Sequence, residues 1–128
     1  MLPSTLFFHY QLIWGLLKKL NYIKEKRKNI FKRYLHNLQD VSQIILPDNK
    51  NNNDWLAIPL MSINRMELLQ YLENNNIQTR VCFSGNITRH PAYRNYFLSF
   101  DNSDKIMKDG FLLGAHQGMT IEDVDFIC

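Results

Sequence analysis

The sequence is poor in the residues that build the most recognisable sites. It has two cysteines, five glycines and four prolines in 128 residues. Cys82 and Cys128 stand far apart, so they form neither a CxxC pair nor a thiolate metal spacing, and their scarcity points to a reducing compartment. The few glycines leave no Walker phosphate loop, and there is no paired-histidine zinc motif. No lipidation pattern and no membrane-spanning run occur, and no repeat is visible. No Ser/His/Asp or Cys/His order can be assembled, so no residue is assigned as catalytic, cofactor-binding or metal-ligating. A net charge of +3 and a pI near 8.9 are too modest to argue for nucleic acid.

What is present suits one small globular domain. The hydrophobic share is 45% and the length allows a single core. The apolar stretch Leu6 to Leu17 lacks a preceding positive charge and a small-residue cleavage site, and His9 and Gln11 interrupt it. It reads as the start of a buried helix, which makes the protein cytoplasmic. From about 5 to 38 the spacing predicts one long helix, with Leu16, Leu20, Ile23, Ile30, Tyr34 and Leu38 on its buried face. Lys18, Lys24, Lys26, Lys28 and Lys32 make the opposite, solvated face. Gly15 inside this pattern suggests close approach of another element.

Beyond the helix, PDNKNNND (47–54) predicts a loop. WLAIPL (55–60) reads as a strand near a sheet edge, because its proline cannot donate to a ladder. Ser62 or Asn64 then caps a helix. Asn64 and Glu67 have capping-box spacing, Met66, Leu68, Leu69 and Leu72 form the buried side, and the Asn run at 74–76 accepts left-handed backbone at the end. Residues 77–83 alternate as a strand, with Ile77, Thr79, Val81 and Phe83 on one side and Gln78, Arg80 and Cys82 on the other. Ser103 caps a short helix to Lys108 that Gly110 closes. Phe111 to Leu113 is a third strand, 114–118 is a glycine-bounded loop, and Thr120 with Asp123 starts the last helix. The order predicts an α+β fold: a small mixed or antiparallel sheet of about three strands, with helices packed on one face and a long N-terminal helix.

Polar chemistry concentrates in SGNITRHPAYR (84–94), which follows a strand. Arginine suits phosphate, and Asn, Thr and Tyr suit sugar hydroxyls. The same composition also fits an ordinary surface loop. Arg80 reaches an anion if it faces the exposed side of the sheet; otherwise it is a solvated strand arginine. His90 precedes a proline and is therefore extended. In GAHQGM the glycines around His116 and Gln117 admit a ligand or simply make a tight turn. Cys82 reads as a half-buried thiol.

Three stretches in order carry a resemblance: GLLKKLNYIKEKRKNIFKRY (15–34), NNNIQTRVCFSGNITRHPAY (74–93) and SDKIMKDGFLLGAHQGMTIEDVDFIC (103–128). Together they resemble the C-terminal small domain of the DegT/DnrJ family of pyridoxal-phosphate (PLP) sugar aminotransferases and dehydratases. The wording GNITRHPAY is similar to the branch acting as 3-dehydratases on nucleotide-linked 4-keto-6-deoxyhexoses, used in lipopolysaccharide and other surface-polysaccharide synthesis. The resemblance implies the small domain of a fold type I PLP enzyme, with residues 1–40 as a linking helix, 41–128 as the α+β domain, and the large PLP-binding domain absent. It implies Arg80, Asn86, Arg89, Tyr93 and His116 on the substrate side of a cleft for a nucleotide-sugar. Family members are homodimers that hold PLP in the large domain, so this chain would carry no cofactor itself.

Three readings follow. The first is a truncated C-terminal domain, inactive alone. The second is a subunit completing a separately made PLP domain. The third is an unrelated small interaction protein. The apolar residues Leu6, Phe7, Phe8, Leu12, Ile13 and Trp14 need a covering domain under the first two. None of the three involves nucleic acid or a membrane.

Overall fold

The computed structural model describes residues 13–15, 17–48 and 55–128. The expectations placed on residues 1–12, on Leu16 and on 49–54 of the Asn-rich loop lie outside these. Residues 13–15 and 17–18 are helical, and the main helix, α1, runs Leu20–Leu38. The single helix expected from the spacing is interrupted at Lys19, whose ψ of 2° departs from helical geometry. Among the described residues nothing lies within 4 Å of where a Gly15 side chain would begin, so the close approach expected there is not seen among them.

Only the C-terminal half of α1 is buried. Ile30, Phe31, Tyr34 and Leu38 enter the core, while Leu20 stays exposed. Phe31, absent from the expected stripe, meets Trp55 edge-on at 5.2 Å. The lysine face is solvated as expected, apart from the half-buried Lys28; Lys18 and Lys26 lie over the rings of Trp14 and Tyr22.

Three antiparallel strands form the sheet in the order β1-β3-β2: β1 (Ala57–Met61), β2 (Arg80–Val81) and β3 (Gly110–Gly114). β1 carries Pro59 and lies outermost of the three, where a missing N–H is tolerated. Among the described residues its far side receives one isolated bridge, Ile45 to Met61. Central β3 places Phe111 and Leu113 on the same side as Ile58 and Leu60 of β1. These meet Leu72, Ala115, Val124 and the buried part of α1 to make one core. Burying a side chain of this size stabilises by roughly 1.5–3 kcal/mol.

Helix α2 (Arg65–Asn74) follows β1. Its expected capping box is not formed: Asn64 stands at the N-cap without a side-chain hydrogen bond. Only Leu72 is fully buried, Leu68 and Leu69 pack partly against the core, and Met66 is exposed, contrary to expectation. The C-terminus behaves as the Asn run predicted. Asn76 adopts φ 62°, its N–H reaches Glu73 O, and Ile77 N–H reaches Leu72 O, which together close a Schellman motif.

That closure shortens β2. Ile77 is occupied in ending α2, and Phe83 takes φ 49°, so the strand expected over 77–83 pairs only at Arg80 and Val81. Val81 and Phe83 are exposed, while Ile77 packs partly against the core. Helix α3 (Asp101–Asp109) has Phe100 at its N-cap, so Ser103 lies inside the helix. Gly110 opens β3 directly, and a side chain there would meet the Ile106 carbonyl at 2.5 Å. Helix α4 (Ile121–Ile127) begins with the expected Thr120–Asp123 capping box.

α4 is fastened to α1 by side chains. Arg33 donates to both carboxylate oxygens of Asp125 at 2.6 and 2.7 Å, and Asn37 donates to the same group at 2.8 Å. The Arg33 contact, then Asn37, holds the Asp125 carboxyl down at about 2. Because the folded value lies below that of an unfolded Asp, about 3.9, the stabilisation is complete above about pH 4 and is lost as pH falls towards 2. Asp125→Asn should flatten that part of the pH–stability curve, measured as the wild-type minus variant difference in urea unfolding. Tyr34 gives a second expectation. Its hydroxyl is buried with no hydrogen-bond partner among the described residues, and burial pushes the phenol well above its ordinary range. Tyr34→Phe should therefore leave stability unchanged or raise it by about 1 kcal/mol in the same assay.

Candidate functional site

Sheet register decides where Arg80 points. Arg80 pairs with Leu112, and Leu112 with Pro59, so the three form one row. Leu112 alternates with buried Phe111 and Leu113, which puts this row on the face away from the core. Arg80 is exposed there, and its guanidinium has no hydrogen-bond or ion-pair partner among the described residues.

Arg80 lines an open cavity of about 500 Å³ together with Gln78, Gly114, His116, Asp123 and Phe126. The loop after β3 brings His116 to it. Gly118 N–H donates to His116 Nδ1 at 3.2 Å, and a side chain at Gly118 would press on the ring at 3.1 Å. With Nδ1 accepting, the neutral ring carries its proton on Nε2 and can donate from there. Asp123 is committed to capping α4 through Thr120 N–H at 2.8 Å. The cavity therefore offers one unpaired cation, one imidazole donor and two amides, Asn76 and Gln78, beside apolar walls. That set suits an anionic, hydroxyl-bearing ligand. The neighbouring Gln117 accepts from Arg27 Nε at 3.1 Å, which ties this loop to α1.

The loop after β2 is built differently. Gly85 starts it at φ 56°, and Asn86 caps a 3₁₀ turn, Ile87–Arg89. A second 3₁₀ stretch, Pro91–Tyr96, is kinked at Tyr93. Asn86 is only 2% exposed. Its Nδ2 donates to Leu98 O at 2.9 Å and to Asp104 Oδ1 at 2.7 Å, while its Oδ1 accepts from the Thr88 N–H and hydroxyl at 3.1 and 2.7 Å. Arg89 grips Asp104 through Nε and, at 2.7 Å, through Nη2, and lies 4.9 Å from the Phe97 ring. This pairing holds the Asp104 carboxyl far below the usual carboxylate range. His90 Nε2 is 2.9 Å from Ser84 O, a local structural bond. Tyr93 is half-exposed on the outside of the loop.

The five residues singled out in the sequence thus fall into groups. Arg80 and His116 share a cavity, Asn86 and Arg89 share a carboxylate, and Tyr93 stands apart on the loop surface. Asp104, which joins the second group, was not foreseen; an acidic residue in a first helical turn reads simply as a favourable dipole contact. Arg27 was equally invisible in a run of lysine and arginine. Among the described residues no group of three or more His, Cys, Asp or Glu could hold a metal, and no helix is long and apolar enough to cross a membrane.

The chain is similar to proteins of a known family. The model of the DegT/DnrJ/EryC1/StrS aminotransferase family matches residues 12–128. The lipopolysaccharide biosynthesis protein RfbH of Salmonella typhimurium is 29% identical over 123 residues, covering 87% of this chain and 28% of that protein. A dTDP-4-dehydro-2,6-dideoxy-D-glucose 3-dehydratase from Saccharopolyspora spinosa is 29% identical over 122 residues, covering 87% of this chain and 26% of that protein. Among solved structures, a GDP-4-keto-6-deoxymannose-3-dehydratase with a trapped PLP-glutamate geminal diamine superposes with TM-score 0.79 at 20% identity. That match covers 88% of this chain and 32% of the other. S. venezuelae DesV, in complex with a ketimine intermediate, gives 0.82 at 16% identity, covering 91% and 33%. The fold is therefore the one expected, and the chain spans less than a third of the length of the relatives it matches.

The geometry of the loop start yields a stability expectation. A side chain at Gly85 would sit 2.4 Å from Met107 Cβ, in a left-handed backbone that disfavours one. Gly85→Ala should cost about 2 kcal/mol or more in urea unfolding; a neutral result would mean that the loop and α3 do not pack as described.

Proposed function

From the premise that this chain belongs to the DegT/DnrJ/EryC1/StrS aminotransferase family, we propose that it supplies the substrate wall of a PLP-dependent sugar-nucleotide aminotransferase or 3-dehydratase of deoxysugar and surface-polysaccharide synthesis. Family membership sets aside the unrelated interaction protein. The observation that carries the reading is the cavity holding unpaired Arg80 beside His116. Arg80 meets the diphosphate of a nucleotide-sugar, and the His116 Nε2–H meets a sugar or phosphate oxygen. Tyr93 stands outside this cavity on the neighbouring loop, where it extends the wall, and Asn86 and Arg89 serve that wall by holding the loop in place.

PLP does not fit this cavity by itself. No lysine lines it, so the cofactor aldehyde would find no amine there. In this reading the cofactor belongs to the part of the enzyme that the relatives have and this chain does not span. When bound there it acts as an electron sink for chemistry at the sugar. The chain's own residues bind and orient the sugar-nucleotide and carry no step of the reaction.

The exposed apolar surface supports a partner polypeptide bearing that cofactor. Phe83 is 88% exposed and Tyr96 72%, and Phe97, Leu98 and Phe100 are exposed as well. So many exposed large apolar side chains in one segment fit an interface. The partner is a cofactor domain, in the same polypeptide or made separately, within a homodimeric assembly.

Titration of the purified chain with a nucleoside-diphosphate sugar tests this. The expected result is weak binding, with a Kd on the order of 1 mM, which Arg80→Ala weakens about tenfold or more. Parallel incubation with PLP should leave no Schiff-base absorbance after dialysis. Unchanged binding by the Arg80→Ala variant would remove Arg80 from the site, and a dialysis-resistant band would overturn the assignment of the cofactor to another domain.

A further inference from the structure

We propose that Asp104 is the positioning residue of the 84–100 loop: one carboxylate fixes both ends of the loop to α3, and this anchor takes up Asn86 fully and the Nε–H and one Nη2–H of Arg89. The loop's place in the substrate wall rests on the reading above; the anchor itself rests on the hydrogen-bond pattern.

Five donors converge on the two oxygens of Asp104. Arg89 Nε and Asn86 Nδ2 reach Oδ1, and Arg89 Nη2, Ser99 Oγ at 3.3 Å and Phe100 N–H at 3.2 Å reach Oδ2. Two of these residues lie at the start of the loop and two at its end, so the carboxylate closes it as a ring. An ionised carboxylate has about four lone-pair sites and no proton, which makes it the side chain best able to accept from so many donors at once.

Asn86 has no capacity to spare. Both of its amide hydrogens and two acceptor positions are occupied, and it is buried. Arg89 has two N–H groups on Asp104 and the Phe97 ring beside its guanidinium. What the anchor leaves facing outwards is Tyr93, Arg94, Tyr96 and the residues that follow. The second stretch, Pro91–Tyr96, makes few bonds to the rest of the chain, so its position is inherited from the anchored turns on either side. Asp104 thus acts through Tyr93 and Arg94 without touching ligand.

Amide hydrogen exchange followed by NMR on the whole chain tests the anchor with no ligand present. Asp104→Asn keeps the shape but replaces one acceptor oxygen by a donor. Exchange at Thr88, Leu98 and Phe100 should quicken about tenfold or more, with Ile58, Phe111 and Leu113 unchanged. The Arg89 Nε–H resonance, held by the carboxylate in the wild type, should move and broaden. Equal quickening of core and loop, or no change in either, overturns the proposal. If Asp104→Asn does not fold, Arg89→Lys keeps the charge but loses the two-pronged grip, and it should show the same local pattern to a smaller degree. A separate titration with a nucleoside-diphosphate sugar divides the two ideas: no binding by the wild type counts against the substrate-wall reading, while the exchange result still decides the anchor.

Discussion

Everything in this domain hangs on the pairing of β3 with a neighbour on each side. β3 contributes Phe111 and Leu113 to the core and Leu112 to the opposite face. On one side it holds β1 and thereby Ile58 and Leu60; on the other it holds only two residues of β2, yet one of them is Arg80. Both polar loops leave from this strand or its partner. The core packing and the placement of the cationic side chain are consequences of the same ladder, since a one-residue slip of β2 would turn Arg80 inward and one of β3 would turn Phe111 outward.

Much of this was legible in the residues. The capping chemistry of Thr120 and Asp123, the left-handed Asn at the end of α2 and the proline in an outer strand all act through local geometry, and each appeared where its chemistry dictates. The failures came where tertiary contacts overrode local preference. Met66 fits a buried stripe by spacing but faces water. The alternation over 77–83 was real in sequence, but Ile77 had already been claimed by the helix before it and Phe83 by a turn. Ser103 looked like a cap because nothing local distinguishes it from its neighbours; the structure sets the cap three residues earlier.

The polar residues show the same division. Composition picked out Asn86 and Arg89 as suited to sugar and phosphate. It had no means of showing that Asp104, well separated in sequence, would bind both of them and leave Asn86 with no free donor. Arg80 and His116 are far apart in the chain and share a cavity only because β2 and β3 are adjacent. A residue type suited to a ligand is therefore a statement about chemistry on offer; burial and competing partners decide whether the offer stands.

The hydrogen bond from Arg27 to Gln117 joins the long helix to the loop that carries His116. The Arg33–Asp125 clasp joins the same helix to the segment just beyond that loop. With two such ties along its length, α1, the loop bearing His116 and α4 are braced against one another, so the imidazole takes its position from the helix as well as from the sheet.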